Sequence, residues 1–281
     1  MSSNTKDHWS AEKYSAAANF VPQLTTKVLQ HLCPQPGESI LDIGCGDGQL
    51  TTKLASSVSP TGRVLGLDAS ASFIASARAA NTHPHCAYEL QDCTALDANA
   101  SAASAQWDKA FSNAAMHWIL REPATRAGFF AAVHGLLKPG GKFVFEMGGK
   151  GNVAEFHAAF VGALTTHGGL EIARARAASP WFFPSTDWMA MALGEAGFDV
   201  EVCESEYRPT KLTEEKEDGS GGVEGWVRLM GAKFLEAVEG EERREKVVRA
   251  VCEWVEDAVQ REEDGSKWIG YVRCRAVATK R

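Results

Sequence analysis

Along residues 39–147, short apolar runs alternate with longer stretches in which apolar side chains recur every three or four positions. The runs are SILDIG (39–44), RVLGLD (63–68), CAYEL (86–90), DKAFS (108–112) and KFVFEM (142–147), each bounded by turn residues. Such runs, short and without alternation, predict strands buried on both faces. Between them, helical spacing covers 47–58, 70–80 and 123–137, the last stopped by Pro139 and Gly140 in LLKPGG. Upstream, Phe20, Leu24, Val28, Leu29 and Leu32 predict a lead helix over 11–32, closed by Pro34 and Pro36. Strands that alternate with helices imply a parallel sheet wound right-handedly.

Beyond residue 152 the pattern becomes mainly helical, with FDVEVCESEY (198–207) and IGYVRCRAVATK (269–280) as sixth and seventh strands. The Ala- and Ser-rich stretch 94–106 predicts a short connecting helix plus loop, and the acidic, Gly-rich stretch 211–222 a mobile surface loop. Residues 241–263 set Val247, Val251, Trp254, Val255 and Ala258 on one helical face and charged groups on the other, which reads as a solvated face. No internal repeat is present. One domain over 1–281 is expected: a cofactor-binding core over about 37–150, lid and substrate elements from 1–36 and 151–267, and a last strand over 268–281.

Composition narrows the chemistry. The opening residues MSSNTKDHWSAEKY form no apolar leader, and no run of roughly 18 uncharged apolar residues occurs, so a cytoplasmic protein without membrane spans is expected. The seven cysteines stand singly with no CxxC pair, which fits reduced thiols rather than a disulfide framework or metal site. A net charge of −7 and the lack of a basic, aromatic-interleaved stripe argue against nucleic acid. A monomer is expected.

In LDIGCGDGQL a strand ends at Ile43, and Gly44, Gly46 and Gly48 let the backbone turn and lie close to a ligand. The dinucleotide pattern needs glycine where Gln49 stands, and a phosphate-binding loop needs GK[ST], so neither ligand fits. Alone, the loop reads equally as a tight strand-to-helix turn. Asp68 closes the second strand, where a carboxylate can accept from both ribose hydroxyls. Gln91, Asp92 and Cys93 follow the third, where Asp92 can accept from an adenine amino group and the Cys93 N–H can donate to the ring. Asp42 precedes the loop, placed to orient it or to meet an amino group. Each aspartate alone is more often a turn or capping residue. Three at the carboxyl ends of successive strands favour a binding crevice.

DIGCGDGQ, LGLDAS, QD, FSNAAMHW and LLKPGG, in that order and spacing, resemble the class I S-adenosylmethionine-dependent methyltransferases. The resemblance implies an α/β fold with a seven-stranded, mostly parallel Rossmann-like sheet, an N-terminal lead helix and helical cap insertions between the late strands. It implies S-adenosyl-L-methionine as cofactor, lined by Tyr14, Asp42, Gly44, Gly46, Asp47, Gln49, Asp68, Ala69, Ser70, Phe73, Asp92, Cys93 and Asn113. FSNAAMHWI, Trp9, Tyr14 and the tail through GWVRLMGAKF resemble the trans-aconitate methyltransferase family, although that family's W…LRP motif is absent. YSAAANFVPQLTTKVL and ILDIGCGDGQLT resemble a fungal branch, the gliotoxin bis-thiomethyltransferases.

A small-molecule acceptor is expected. SNAAMHW lacks the NPPY-type sequence of enzymes that methylate amide or nucleobase nitrogen. His117 is the candidate base, read equally as a satisfied histidine on a helix's first turn. Trp9, Phe20, His117, Trp118, Trp181, Trp226 and Met230 are the candidate acceptor residues, with Phe182, Phe183 and Trp188 in the same aromatic set. Apolar walls favour an apolar or heteroaromatic acceptor; a polycarboxylate calls for arginines. The favoured reading is S-methylation of a thiol on a dithiol metabolite such as reduced gliotoxin, since a thiol of pKa about 8.5 is partly ionised near neutrality. O-methylation of a carboxylate or a phenol stays open, as does a domain that binds adenosyl ligands without turnover.

Overall fold

The computed structural model describes residues 25–281. Its elements run α1 Thr26–Leu32, β1 Ser39–Ile43, α2 Gln49–Val58, β2 Arg63–Asp68, α3 Ala71–Ala80, β3 Cys86–Leu90, α4 Ala100–Ala103, β4 Trp107–Asn113, α5 Met116–Ile119 and α6 Pro123–Leu136. They continue β5 Leu137–Gly148, α7 Ala154–Thr166, α8 Ile172–Ala177, α9 Thr186–Glu195, β6 Phe198–Lys211, α10 Gly222–Met230, α11 Ala232–Glu236, α12 Glu241–Val259 and β7 Trp268–Lys280. The seven strands form one sheet in the order β3-β2-β1-β4-β5-β7-β6. The first five run parallel, and β7 is antiparallel to both neighbours. The strand order reverses between β1 and β4, and a ligand crevice opens at that edge in such sheets.

Local chemistry accounts for most boundaries. Helix α3 starts where the Ser70 side chain accepts from Phe73 N–H at 3.2 Å, and α9 starts on Ser185 in the same way. Helix α6 carries a proline in its first turn, where the missing N–H costs nothing. The central strands bury both faces as their apolar runs require. β3 does not: it is half-buried, with Leu90 exposed, because as an edge strand it has β2 as its one sheet neighbour.

Other expectations shift in detail. The lead helix is described from Thr26 onward, and residues 11–24 lie outside the described residues. The helix expected over 47–58 begins at Gln49, after Gly48 in the left-handed region. The connecting stretch after β3 is a 3-10 turn, Cys93–Ala98, followed by the four-residue α4. β5 starts five residues before the expected KFVFEM, and its register against β4 shifts between Trp107 and Lys109. On α12 the buried stripe is Val247, Val251, Val255 and Val259; Trp254, assigned to that face by spacing, stands about half exposed. Consistent i, i+4 spacing sets the stripe, and Trp254 lies one position off it.

Helices α7, α8, α10, α11 and α12 enclose a second apolar core, containing Phe156, Phe160, Trp181, Trp226, Phe234 and Val251, over the end of β7 at Ile269 and Tyr271. This cap is built from the two insertions that separate β5, β6 and β7. Among the described residues no helix is long and apolar enough to cross a membrane.

Candidate active site

Parallel pairing puts the carboxyl ends of β1, β2, β3 and β4 on one edge, and with them most of the candidate cofactor residues. The glycine loop is pinned by backbone and carboxylate together. Gly44 and Cys45 N–H donate to Leu67 O at 2.8 and 2.9 Å. Asp68 accepts from Gly46 N–H at 2.9 Å with one oxygen and from Ser70 N–H at 2.8 Å with the other. The carboxylate therefore shapes the loop.

Gly44, Gly46 and Gly48 all have positive φ, at 76°, 57° and 81°. At Gly44 an added Cβ would lie 2.2 Å from the Ala115 Cβ. Left-handed strain and that clash act together. Gly44→Ala is therefore expected to lower the thermal midpoint and weaken S-adenosylhomocysteine binding; an unaltered midpoint in a thermal melt would contradict the close packing described.

Asp42 is buried, and its carboxyl accepts from the Thr51 hydroxyl at 2.7 Å. Desolvation pushes its pKa up to about 7. The side chain thus braces α2 behind the loop. Asp47 and Gln49 pair with each other at the surface, Gln49 Nε2 donating at 2.7 Å. Asp92 caps the turn after β3, accepting from Thr94 N–H at 2.9 Å and from the Thr94 hydroxyl at 2.8 Å. Cys93 is buried and its thiol is pushed well up by burial. Ala69 is exposed, whereas Ser70 and Phe73 are buried at the start of α3. Asn113 ends β4, and its buried Oδ1 has no hydrogen-bond partner among the described residues. An orphaned acceptor at this edge, a half-exposed carboxylate at Asp68 and open space above Gly46 fit a polar, cationic ligand such as S-adenosylmethionine.

The next residue, Ala114, lines a cavity of about 440 Å³ including its open mouth. His117, Trp118, Trp181, Trp226 and Met230 line it too, so five candidate acceptor residues from three distant segments meet there. Trp9, Tyr14 and Phe20 lie outside the described residues. Trp181 stacks on Phe183 with ring centroids 5.7 Å apart and meets Trp118 edge-on at 5.8 Å. The Trp226 indole N–H donates to the Tyr271 hydroxyl at 2.8 Å.

Sequence reasoning passed over Asn152, Tyr271 and Arg273, which share the cavity wall. Arg273 is 4% exposed, with its guanidinium 4.3 Å from the Tyr271 ring centroid and its Nε 3.9 Å from Glu146. Arginine within an otherwise apolar strand was the available signal, because arginine is almost never buried unless paired.

His117 is buried, and Gly148 N–H donates to its Nδ1 at 3.3 Å. Burial, then the positive charge of Arg273, push its pKa down to about 3. With its lone pair engaged and its protonation opposed by burial, His117 fits the satisfied-histidine reading better than the base reading held equally open. Among the described residues no group of three His, Cys, Asp or Glu side chains could hold a metal ion.

Comparison with known proteins agrees with this architecture. Residues 40–141 match the methyltransferase domain family. An uncharacterized methyltransferase of Schizosaccharomyces pombe is 36% identical over 98% of this chain and 99% of its own length. A trans-aconitate 2-methyltransferase of Azoarcus sp. is 25% identical over 97% of this chain and 99% of its own. The fold is shared with an S-adenosylmethionine-dependent methyltransferase from Geobacter sulfurreducens solved with S-adenosyl-L-homocysteine, at TM-score 0.51 and 17% identity over the whole of this chain and 95% of that one. The glycine loop, the carboxylate beside it and the full-length relationship together make this chain a member of the S-adenosylmethionine-dependent methyltransferases.

Proposed function

We propose that the chain transfers the methyl group of S-adenosylmethionine to a carboxylate oxygen of a small acid with an apolar or unsaturated body, giving a methyl ester. The observation that carries this reading is one guanidinium, Arg273, in a mainly aromatic and apolar cavity that starts one residue beyond Asn113. The bound sulfonium supplies the electrophilic methyl group; the protein's task is to align an acceptor with it and exclude water. A carboxylate, with pKa about 4, arrives ionised and needs no base. A phenol does need one, and the cavity's histidine is held neutral and engaged. The full-length similarity to trans-aconitate 2-methyltransferase supports a carboxylate acceptor.

S-methylation of a thiol, as on a dithiol metabolite such as gliotoxin, is the second reading. It is favoured by the walls of Trp118, Trp181, Trp226 and Met230, which suit a polarisable sulfur. Incubation of the protein and cofactor with trans-aconitate, aromatic carboxylic acids, dithiols and phenols, followed by mass spectrometry, separates the readings. Methyl esters are expected. Products from thiols alone would replace the first reading by the second, and no product from any panel member would favour a binding module.

A further inference from the structure

His117 is fixed from two sides. Its carbonyl accepts from Phe182 N–H at 2.9 Å, its Nδ1 accepts from Gly148 N–H at 3.3 Å, and its ring lies 5.7 Å from that of Phe183. With Nδ1 accepting, the single proton of a neutral ring resides on Nε2. Among the described residues nothing accepts from Nε2, and the residue, 8% exposed, borders the cavity that Arg273 also borders. We infer that His117 is a neutral hydrogen-bond donor that, through Nε2–H and together with the Arg273 guanidinium, grips an anionic oxygen of the acceptor and takes no proton from it. The inference rests on the acceptor reading above.

The electrostatic surroundings agree. Arg273 and Tyr271 on β7 are the ionisable cavity neighbours, with Glu146 of β5 behind Arg273; Asn152, Trp118, Trp181 and Phe183 complete the walls. A cation beside a buried imidazole opposes its protonation, so the ring keeps one N–H across the physiological range. A base with an ordinary histidine pKa of about 6.5 would lose rate below that pH. A donor held neutral produces no such limb between pH 5 and pH 8, and a carboxylate acceptor stays ionised over most of it.

Two measurements test this. In long-range proton–nitrogen spectra of ring-labelled protein, the His117 signals should report the Nε2–H tautomer at pH 7 and still at pH 5. An imidazolium at pH 5, or an Nδ1–H tautomer, overturns the inference whatever the acceptor is. Separately, titration of the S-adenosylhomocysteine complex with trans-aconitate or benzoate should quench the cavity tryptophans. His117→Phe, which keeps a ring but no donor, should weaken that binding about tenfold or more while cofactor-product affinity stays unchanged. His117→Gln, which restores a side-chain N–H, should remain within about threefold of the wild type, a small loss on the scale of one hydrogen bond. Equal losses in both variants, or none in the phenylalanine variant, would refute the grip. If neither acid quenches the wild type, the grip fails with the acceptor reading, and the spectra still decide the tautomer.

Discussion

Asp68→Ala is expected to lower the affinity for S-adenosylhomocysteine by about a hundredfold or more, measured by calorimetry, while the circular dichroism of the protein is retained. The carboxylate holds Gly46 and Ser70 N–H at once, so its loss frees the tip of the glycine loop and the start of α3 together. Each charge-assisted bond is worth roughly 1.5–3 kcal/mol. Both bonds exist without cofactor and preorganise the loop; two further bonds from the ribose hydroxyls to the same carboxylate, at the same energy each and about 1.4 kcal/mol per decade, reach the stated factor. Asp68→Asn should be intermediate, because an amide has one acceptor oxygen and would turn its NH2 toward one of the two donors. Affinity within about threefold of the wild type for the alanine variant, far less than the loss of one such bond, would reduce Asp68 to a turn residue.

The largest loss of stability is expected from Arg275→Ala. Arg275 is fully buried in the middle of β7, where its guanidinium donates to Glu146 at 2.9 Å, to Glu206 at 2.7 Å and to Glu204. Lys27 of α1 reaches Glu206 at 2.6 Å, so the network also fastens the first described helix to the sheet. Removing the central cation leaves converging carboxylates, one of them 3% exposed, and breaking a buried pair costs about 3–5 kcal/mol. For a chain of this size that corresponds to a fall of roughly 10 °C in the thermal midpoint. The exposed pair Lys142–Glu201 is the contrast, with an expected effect below about 1 kcal/mol on Lys142→Ala.

Acid sensitivity should change in step. Lys27, then Arg275, hold the Glu206 carboxyl down to about 2, below its unfolded value, so its contribution is present above the unfolded pKa and lost as pH falls toward about 2. Without Arg275 the folded-state value rises toward the unfolded one, so that contribution is smaller and is exhausted at higher pH. A midpoint lowered by less than about 2 °C, under 1 kcal/mol for a chain of this size, would mean that the network contributes no net stability.

The cofactor half was legible because its signals are local. The loop Gly44–Gly48 and the carboxylates at 42, 68 and 92 stand at strand ends, and strand ends can be read from apolar runs. Parallel pairing then brings them to one edge without further information. The acceptor half was legible in kind but not in membership. Candidate acceptor residues could be nominated, and five of them, on α5 and in the cap, meet at the cavity, yet Trp188 packs against Phe182 and Arg126 instead. Arg273 and Tyr271 were missed because their orientation depends on β7 inserting antiparallel between β5 and β6, a long-range pairing that local pattern does not encode. His117 was found by residue type with its role left open between base and satisfied histidine, since the bond from Gly148 joins positions 31 residues apart.

The separation of the two halves carries a consequence for inheritance. The candidate cofactor edge is drawn from one continuous third of the chain, the stretch matched by the methyltransferase family, and most of the cavity wall, apart from Ala114, His117 and Trp118, from scattered residues of the cap and of β7. Mutations that redraw the wall leave the cofactor loop and its carboxylate untouched, and those that damage the loop abolish every substrate alike. Selection can therefore hold the first part constant while lineages drift apart in the second, so descendants of one ancestor can share a methyl donor and diverge in what they methylate.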